Sequence, residues 1–136
     1  MKTIDTNELR GAYLNYAVAI SLGHKVHINE VLRWHQMPGP WISGHIFDPN
    51  TWIQLYQYRP SDNWARGGPI IDQYIDQVTR ISDKSWIAIK CQVDRPDVVL
   101  HSGQGETALI AAMRCLVRSK LGDTVEIPDN LFCTTE

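Results

Sequence analysis

The spacing of apolar residues changes twice along this chain, from helical near the start to alternating in the middle and back to helical near the end. Helical spacing places side chains on one face of a helix, whereas alternation places them on one face of a strand. Helices and strands do not alternate along the chain as a parallel sheet would require. The order therefore predicts an α+β fold, with an antiparallel or mixed sheet of about four strands and amphipathic N-terminal and C-terminal helices packed on one face.

The N-terminal helical pattern begins at Asp5, which together with Glu8 can form a capping box around the first turn. Gly23 is the residue type that most often follows the last turn of a helix. These signals predict a helix over residues 6–22. Gly11 then lies in the helix interior, where it costs about 1 kcal/mol relative to alanine, so either the helix packs closely against another part of the protein at that point or its boundary lies elsewhere.

The C-terminal helical pattern has clear signals at both of its ends. Thr107 is a suitable N-cap, and Gly122 stops the helix. Arg118 and Lys120 lie in the last turn, where positive charge interacts favourably with the helix dipole. These signals predict a helix over residues 108–121.

Strand signals fill the region between the helical patterns and recur directly after the second one. β-branched and aromatic residues indicate strands near residues 26–31 and 52–58, regular alternation indicates one over 85–93, and a short one follows at 124–127. Residues 37–44, with the sequence MPGPWISG, contain turn formers and are predicted to be a loop.

The strand over residues 85–93 has two faces of different composition. One face carries Lys90 and Gln92 beside Trp86 and Ala88. The other face is apolar throughout, with Ile87, Ile89, Cys91 and Val93. We expect the apolar face to be the core face and the Trp86 face to lie partly in solvent. A sheet covered on one side only leaves either a solvated face or a homodimer interface.

Length and charge limit the classes of function. A chain of 136 residues can bury about two thirds of its unfolded surface, so a single domain over residues 1–136 is expected, with 129–136 as a disordered tail. The formal net charge of −2, without a basic stripe, argues against nucleic acid as a partner. Neither a signal peptide nor a membrane span is indicated, so we expect a cytoplasmic protein without membrane association.

Cysteine and histidine spacings argue against a metal site or a bound cofactor. Cys91, Cys115 and Cys133 are widely spaced and contain no Cys-x-x-Cys pair, as expected for reduced thiols. We expect Cys91 and Cys115 to be small core residues. His24 and His27 span a helix end and a strand, so their rings are not expected to share a metal.

Three segments resemble a known family in the same order along the chain. They are LRGAYLNYAVA at residues 9–19, YRPSDNWARGGPII at 58–71, and the segment from ALIAAMRC to LGD at 108–123. In these segments the chain is similar to the NinX-like proteins of lambdoid phages and prophages. The resemblance implies a phage-encoded accessory protein acting in the cytoplasm of the bacterial host, and it supplies no catalytic residues. The family usually carries Asp-Trp where this chain has Asn15 and Tyr16.

The central segment, which we predict to be a loop, holds the strongest candidate binding site. Asp62, Trp64 and Arg66 are crowded just before Gly67 and Gly68. Arginine beside tryptophan can recognise an anion on a flat molecule by bidentate hydrogen bonds and stacking, and the glycines permit close backbone approach. In the alternative interpretation Trp64 fills the core, Asp62 pairs with Arg66, and the glycines form a turn.

Two features near the C-terminal helix are weaker candidates. Arg114 lies near the polar edge of the helix and could approach an anion, although a solvated surface position is the commoner role. Residues 103–107, with the sequence GQGET, are predicted to be a loop and cap. They lack the lysine of a phosphate-binding P-loop, and Glu106 would repel a phosphate.

These observations leave two functions open. The leading hypothesis is a non-catalytic module that binds a host or phage protein, with Trp64 and Arg66 as anchors, because no catalytic motif is present. The alternative is a small-molecule site, or an enzyme, for an anionic planar ligand such as a nucleotide, using Asp62, Arg66 and Arg114. A deep pocket joining those three residues would favour the alternative, and a flat aromatic patch would favour protein binding.

Overall fold

The computed structural model describes the backbone of residues 2–27, 31–32, 37–38, 41–43, 53–54, 58–94 and 97–128, and the side chains of 2–26, 58–93 and 97–128. Three α-helices lie within this part of the chain: α1 (Gly11–Ser21), α2 (Trp64–Tyr74) and α3 (Ala108–Leu121). The strands are β1 (Lys2–Asp5), β2 (Lys25–His27), β3 (Val31–Leu32), β4 (Met37–Pro38), β5 (Trp41–Ser43), β6 (Ile53–Gln54), β7 (Gln77–Ser82), β8 (Ser85–Asp94), β9 (Asp97–Gly105) and β10 (Thr124–Ile127).

The described strands pair in antiparallel fashion, which confirms the predicted α+β class. They form the sheets β1-β10, β2-β5-β6, β3-β4 and β7-β8-β9, and not one sheet of about four strands. The pairing of β1 with β10 joins the two ends of the described chain, and Thr6 extends it by donating its amide to Asp123 at 2.8 Å and its hydroxyl to Gly122 at 2.7 Å. Such long-range pairing leaves no local pattern in the sequence.

The start of the N-terminal helix differs from the prediction. Residues Thr6–Glu8 form a 3-10 turn, which the Asp5 side chain caps by accepting from the Asn7 amide at 2.9 Å. The chain is then extended through Arg10, and α1 begins at Gly11, whose φ is +56°. The predicted helix over residues 6–22 is therefore wrong for its first five residues, because Gly11 allows a sharp change of direction there.

The C-terminal helix has the predicted limits. The Thr107 hydroxyl accepts a hydrogen bond from the Ile110 amide at 3.1 Å, and Gly122 adopts a φ of +96° after the last turn. The following strand, Thr124–Ile127, also agrees with the prediction. Both results reflect signals that act within a few residues.

Helix α3 covers the sheet β7-β8-β9 and contacts both α1 and α2. Close approach depends on two glycines of β9. A Cβ atom on Gly103 would lie 2.5 Å from the Ala111 carbonyl oxygen, and one on Gly105 would lie 2.5 Å from a methyl carbon of Ile110. The prediction of a loop over residues 103–107 is therefore wrong up to Gly105, because these glycines serve helix packing and not a turn.

The covered face of β8 is opposite to the predicted one. Ala88 is completely buried under α3, and Trp86 on the same face packs against the core. Val93 is 70% exposed, and Cys91 is exposed as well. Ala88 pairs with Gly103 of β9, so the smallest side chains of both strands make room for the helix. Room for the backbone of α3, and not hydrophobicity alone, therefore decides which face the helix covers.

Lys90 lies on the covered face without being fully buried. Its ammonium group is 5.4 Å from the centre of the Tyr74 ring, and that of Lys120 is 5.7 Å from the same ring. Burial lowers the pKa of Lys90, and the charge of Lys120 lowers it further. The long side chain thus reaches the rim of the helix and keeps its charge next to an aromatic face.

The predicted loop over residues 37–44 contains two short strands. Met37–Pro38 pairs with β3, and Trp41–Ser43 is the central strand of β2-β5-β6. The β-branched and aromatic residues between the turn formers are enough to pair, so the loop prediction is wrong at these positions. Residues 129–136 lie outside the described part of the chain, as do parts of the strands predicted near 26–31 and 52–58.

Two further expectations concern membrane spans and cysteines. Among the described residues, every helix is too short or too polar to span a membrane. Cys115 is buried as expected, and burial raises the pKa of its thiol to about 11. Cys91 is exposed, so its assignment to the core is wrong, because it lies on the uncovered face of β8.

Candidate functional site

The central segment forms a helix where a loop is predicted. The Asn63 side chain accepts a hydrogen bond from the Ala65 amide at 2.9 Å and caps α2, which continues through Pro69 to Tyr74. Gly67 and Gly68 precede the proline inside the helix. Glycines and a proline together are typical of turns, which is why the sequence pattern favoured a loop. The helical spacing of apolar residues after Pro69 is the signal that could have identified α2.

Trp64 is 60% exposed at the first position of α2. Its ring lies along the helix toward Gly68, one turn later, where an added Cβ atom would be 3.9 Å from the Trp64 ring. The interpretation in which Trp64 fills the core is therefore wrong. The ring is presented on the protein surface, and Gly68 leaves the adjoining position without a side chain.

Charged side chains surround the start of α2. Arg59 donates two hydrogen bonds to the Asp62 carboxylate, at 3.0 and 2.8 Å. Asp62 thus pairs with Arg59, where the alternative interpretation of the segment paired it with Arg66. Burial raises the pKa of Tyr58, and the positive charge of Arg66 partly offsets this effect, so Arg66 lies near that phenol. In the sequence, Trp64 lies between this exposed ion pair and Arg66, which is partly buried.

Two buried contacts fix the position of α2. A Cβ atom on Gly67 would overlap the Pro60 carbonyl and lie 2.5 Å from a methyl carbon of Leu109, so α2 meets α3 at this glycine. The Asn15 side-chain oxygen accepts hydrogen bonds from the Ser61 amide at 3.1 Å and the Ser61 hydroxyl at 2.7 Å. Gly67 therefore serves the packing of α2 against α3. Together with the Asn15 hydrogen bonds, this contact positions α2 so that Trp64 lies on the surface.

A cavity of about 400 Å³ opens between the start of α1, the β7–β8 turn, the end of β9 and one side of α3. Its charged lining residues are Arg10, Lys84, Glu106 and Arg114, and its polar lining includes Asn7 and Ser85. These residues come from distant parts of the sequence. The cavity is therefore a product of the fold and not of any one motif.

Arg114 is only 9% exposed and points into this cavity. Its Nε donates to the Leu9 carbonyl at 2.9 Å, and its Nη1 donates to the Gln104 carbonyl at 2.7 Å. Burial lowers the pKa of Arg114, the charge of Arg10 lowers it further, and Glu106 opposes the change. The expected solvated position is wrong, because α3 is buried on the side that the sequence pattern marks as its polar edge.

The predicted binding residues lie in two places. Five of them belong to α2 or the turn before it: Asp62, Trp64, Arg66, Gly67 and Gly68. The sixth, Arg114, lines the cavity, and none of the other five does. Arg10 and Lys84 were missed, because no local pattern relates them to Arg114. Within the described ranges, no group of three or more histidine, cysteine or acidic residues is arranged to hold a metal ion.

These features define a small α+β domain with an exposed tryptophan on a short helix and a cationic cavity beside its C-terminal helix. Residues 5–120 match the family model described as Bacteriophage P22, NinX. The chain therefore belongs to the NinX family of phage proteins, which confirms the resemblance seen in the sequence. No curated protein matches the chain.

Proposed function

We propose that this phage accessory protein is a non-catalytic module that binds a host or phage protein in the host cytoplasm through the exposed side of α2. The observation that carries the proposal is the 60% exposure of Trp64. A large aromatic side chain left in water on a fixed helix is the kind of group that contributes most to protein interfaces. Covering it would supply about 2 kcal/mol of binding free energy.

The surroundings of Trp64 suit a protein partner. Arg59 and Asp62 form an exposed ion pair in the turn that precedes α2, and Arg66 follows Trp64 by two residues, on the opposite side of the helix. An aromatic centre with a charged rim is the usual composition of an interface between proteins. The packing of Gly67 and the Asn15 hydrogen bonds hold this surface in place before binding, which lowers the entropy cost of association.

The alternative function needs a pocket that joins Asp62, Arg66 and Arg114. The cavity described above is lined by Arg114 and by neither of the other two residues. A planar anionic ligand held by all three is therefore less well supported than a protein partner on α2. Nucleic acid and membrane are not proposed as partners, in keeping with the net charge of −2.

The sheet β7-β8-β9 offers a separate surface that a second copy of the chain could cover. The uncovered face of β7-β8-β9 carries exposed apolar residues, with Val98 and Leu100 of β9 beside Val93 of β8. A homodimer formed on this face would leave Trp64 available to another protein. Light scattering coupled to size-exclusion chromatography measures whether the chain is a monomer or a homodimer before any search for another partner.

The test is affinity capture from lysates of uninfected and phage-infected host cells, using the wild type, Trp64→Ala and Ile81→Ala. Ile81 is a matched control because it is 56% exposed and lies on β7, outside α2. A protein retained by the wild type and Ile81→Ala but lost with Trp64→Ala supports the proposal. Equal retention by all three folded proteins would show that α2 is not the binding surface.

A further inference from the structure

Three cationic side chains from distant parts of the chain meet at the cavity beside α3. Arg10 precedes α1, Lys84 lies in the β7–β8 turn, and Arg114 lies in the middle of α3. Glu106 is the one carboxylate among the described residues that line the cavity. The lining therefore carries a net charge of about +2 at neutral pH, whereas the whole chain carries −2.

The positive charge of the cavity is offset only in part, by Glu106. Within the described ranges, the ion pairs are Arg59 with Asp62, Arg80 with Asp83, and Arg118 with Asp123. None of these pairs includes a cation of the cavity. Two guanidinium groups, those of Arg10 and Arg114, instead influence each other directly. Three cations held together with only one carboxylate favour the entry of an anion.

The orientation of the Arg114 guanidinium is fixed by two hydrogen bonds. Its Nε and Nη1 groups donate to the backbone carbonyls of Leu9 and Gln104, which fix the plane of the guanidinium without removing its charge. No described residue accepts a hydrogen bond from Nη2. The remaining donors of a guanidinium that lines a cavity are available to a bound anion. The planar donor group of arginine matches the oxygens of a phosphate.

We propose that this cavity binds the phosphate group of a small molecule, with Arg114 as the central contact and Arg10 and Lys84 as flanking cations. A lining charge of about +2 matches a phosphate dianion better than a monoanion. Ser85 and Asn7 also line the cavity, and the hydroxyl of Ser85 and the side-chain amide of Asn7 are uncharged groups that can donate to a phosphate. A volume of about 400 Å³ exceeds the needs of a phosphate group alone, so the rest of a small phosphate ester also fits.

Glu106 opposes the binding of an anion, so its replacement should change phosphate affinity in the opposite direction to replacement of a cation. Its carboxylate stabilises the charged form of Arg114, and it would repel a phosphate dianion in the same cavity. Removing this charge should therefore strengthen phosphate binding. Removing Arg10 or Lys84 should weaken it. A nonspecific loss of structure would shift all of these variants in one direction.

The experiment measures binding of inorganic phosphate to the full chain by calorimetry at constant ionic strength. We expect saturable binding that is roughly tenfold weaker in Arg10→Gln and in Lys84→Gln, and several-fold tighter in Glu106→Gln. Lys25→Gln is the matched control, because Lys25 is exposed and lies outside the cavity lining.

Arg114→Lys keeps the positive charge but loses the planar donor group, so it is expected to weaken phosphate binding in a protein that still unfolds cooperatively. Three results would overturn the inference: no saturable phosphate binding, equal losses in Lys25→Gln and Arg10→Gln, or acetate binding as tight as that of phosphate. The proposed role of Trp64 is tested separately, because Trp64→Ala should leave phosphate binding unchanged.

Discussion

Replacement of Asn15 by alanine tests whether one buried amide holds the central segment on α1. The Asn15 oxygen accepts both the amide and the hydroxyl of Ser61, at 3.1 and 2.7 Å, and both residues are about 95% buried. Asn15→Ala leaves two buried donors of Ser61 without this acceptor. Each unsatisfied buried group costs about 1–3 kcal/mol, and partial access of water reduces the total, so we expect a loss of about 3 kcal/mol.

Chemical denaturation measures this loss as a change in the free energy of unfolding. For a chain of this size, about 3 kcal/mol corresponds to a melting temperature lower by roughly 10 °C. Asn7→Ala is the control, because Asn7 is exposed and only its backbone amide forms the hydrogen bond to Asp5. It is expected to change the free energy of unfolding by less than about 0.5 kcal/mol.

A double-mutant cycle with Ser61→Ala identifies the interaction itself. Ser61→Ala removes the hydroxyl donor, so the cost of Asn15→Ala should be smaller in that background. The proposed role of the Asn15–Ser61 contact is refuted if Asn15→Ala is as stable as Asn7→Ala. It is also refuted if the changes in the free energy of unfolding caused by Asn15→Ala and Ser61→Ala are strictly additive. Either result would mean that the central segment is held by other contacts.

Two further predictions concern α2 and the thiols. Gly67→Ala should destabilise the protein by about 3 kcal/mol in thermal unfolding, because the new methyl group overlaps the Pro60 carbonyl, which cannot move like a side chain. Gly68→Ala, with only a 3.9 Å contact to the Trp64 ring, should be neutral or more stable by up to about 1 kcal/mol, and a similar loss for both variants would contradict this packing. In a Cys133→Ser background, an aromatic disulfide reagent should modify exposed Cys91 quickly and buried Cys115 only after unfolding. Folding raises the pKa of the Cys115 thiol to about 11. The contribution of this thiol to the free energy of unfolding is therefore fully present below the usual thiol pKa and is lost as the pH rises toward 11. Fast modification of both thiols at neutral pH would disprove the burial of Cys115.

The sequence predicts those elements whose signals are local. The Thr107 cap and the Gly122 stop define α3 because each acts on backbone groups within one turn of the helix. The start of α1 is mispredicted for the opposite reason. The Leu9 carbonyl is used by Arg114, 105 positions later, and no local pattern indicates that the chain is extended there.

Glycine gives the clearest case of a pattern with more than one meaning. Gly103 and Gly105 resemble the glycines of a loop, but they remove side chains from the face of β9 that meets α3. Gly67 resembles part of a turn, but it lies inside α2 at the contact with Leu109. In each case the sequence shows a missing side chain, and only the tertiary structure shows which neighbour occupies the space.

The two proposed surfaces depend on the same helix but on different sides of it. Leu109 of α3 contacts Gly67 and so supports α2, whereas Arg114 faces the cavity. Five residues of an α-helix correspond to a rotation of about 140°, so the two side chains point in different directions. A variant on the exposed side of α2 therefore does not alter the cavity directly, and a variant at Arg10 does not alter α2. Loss of protein binding in Trp64→Ala with unchanged phosphate binding, together with the reverse pattern in Arg10→Gln, would establish two independent sites on one rigid domain.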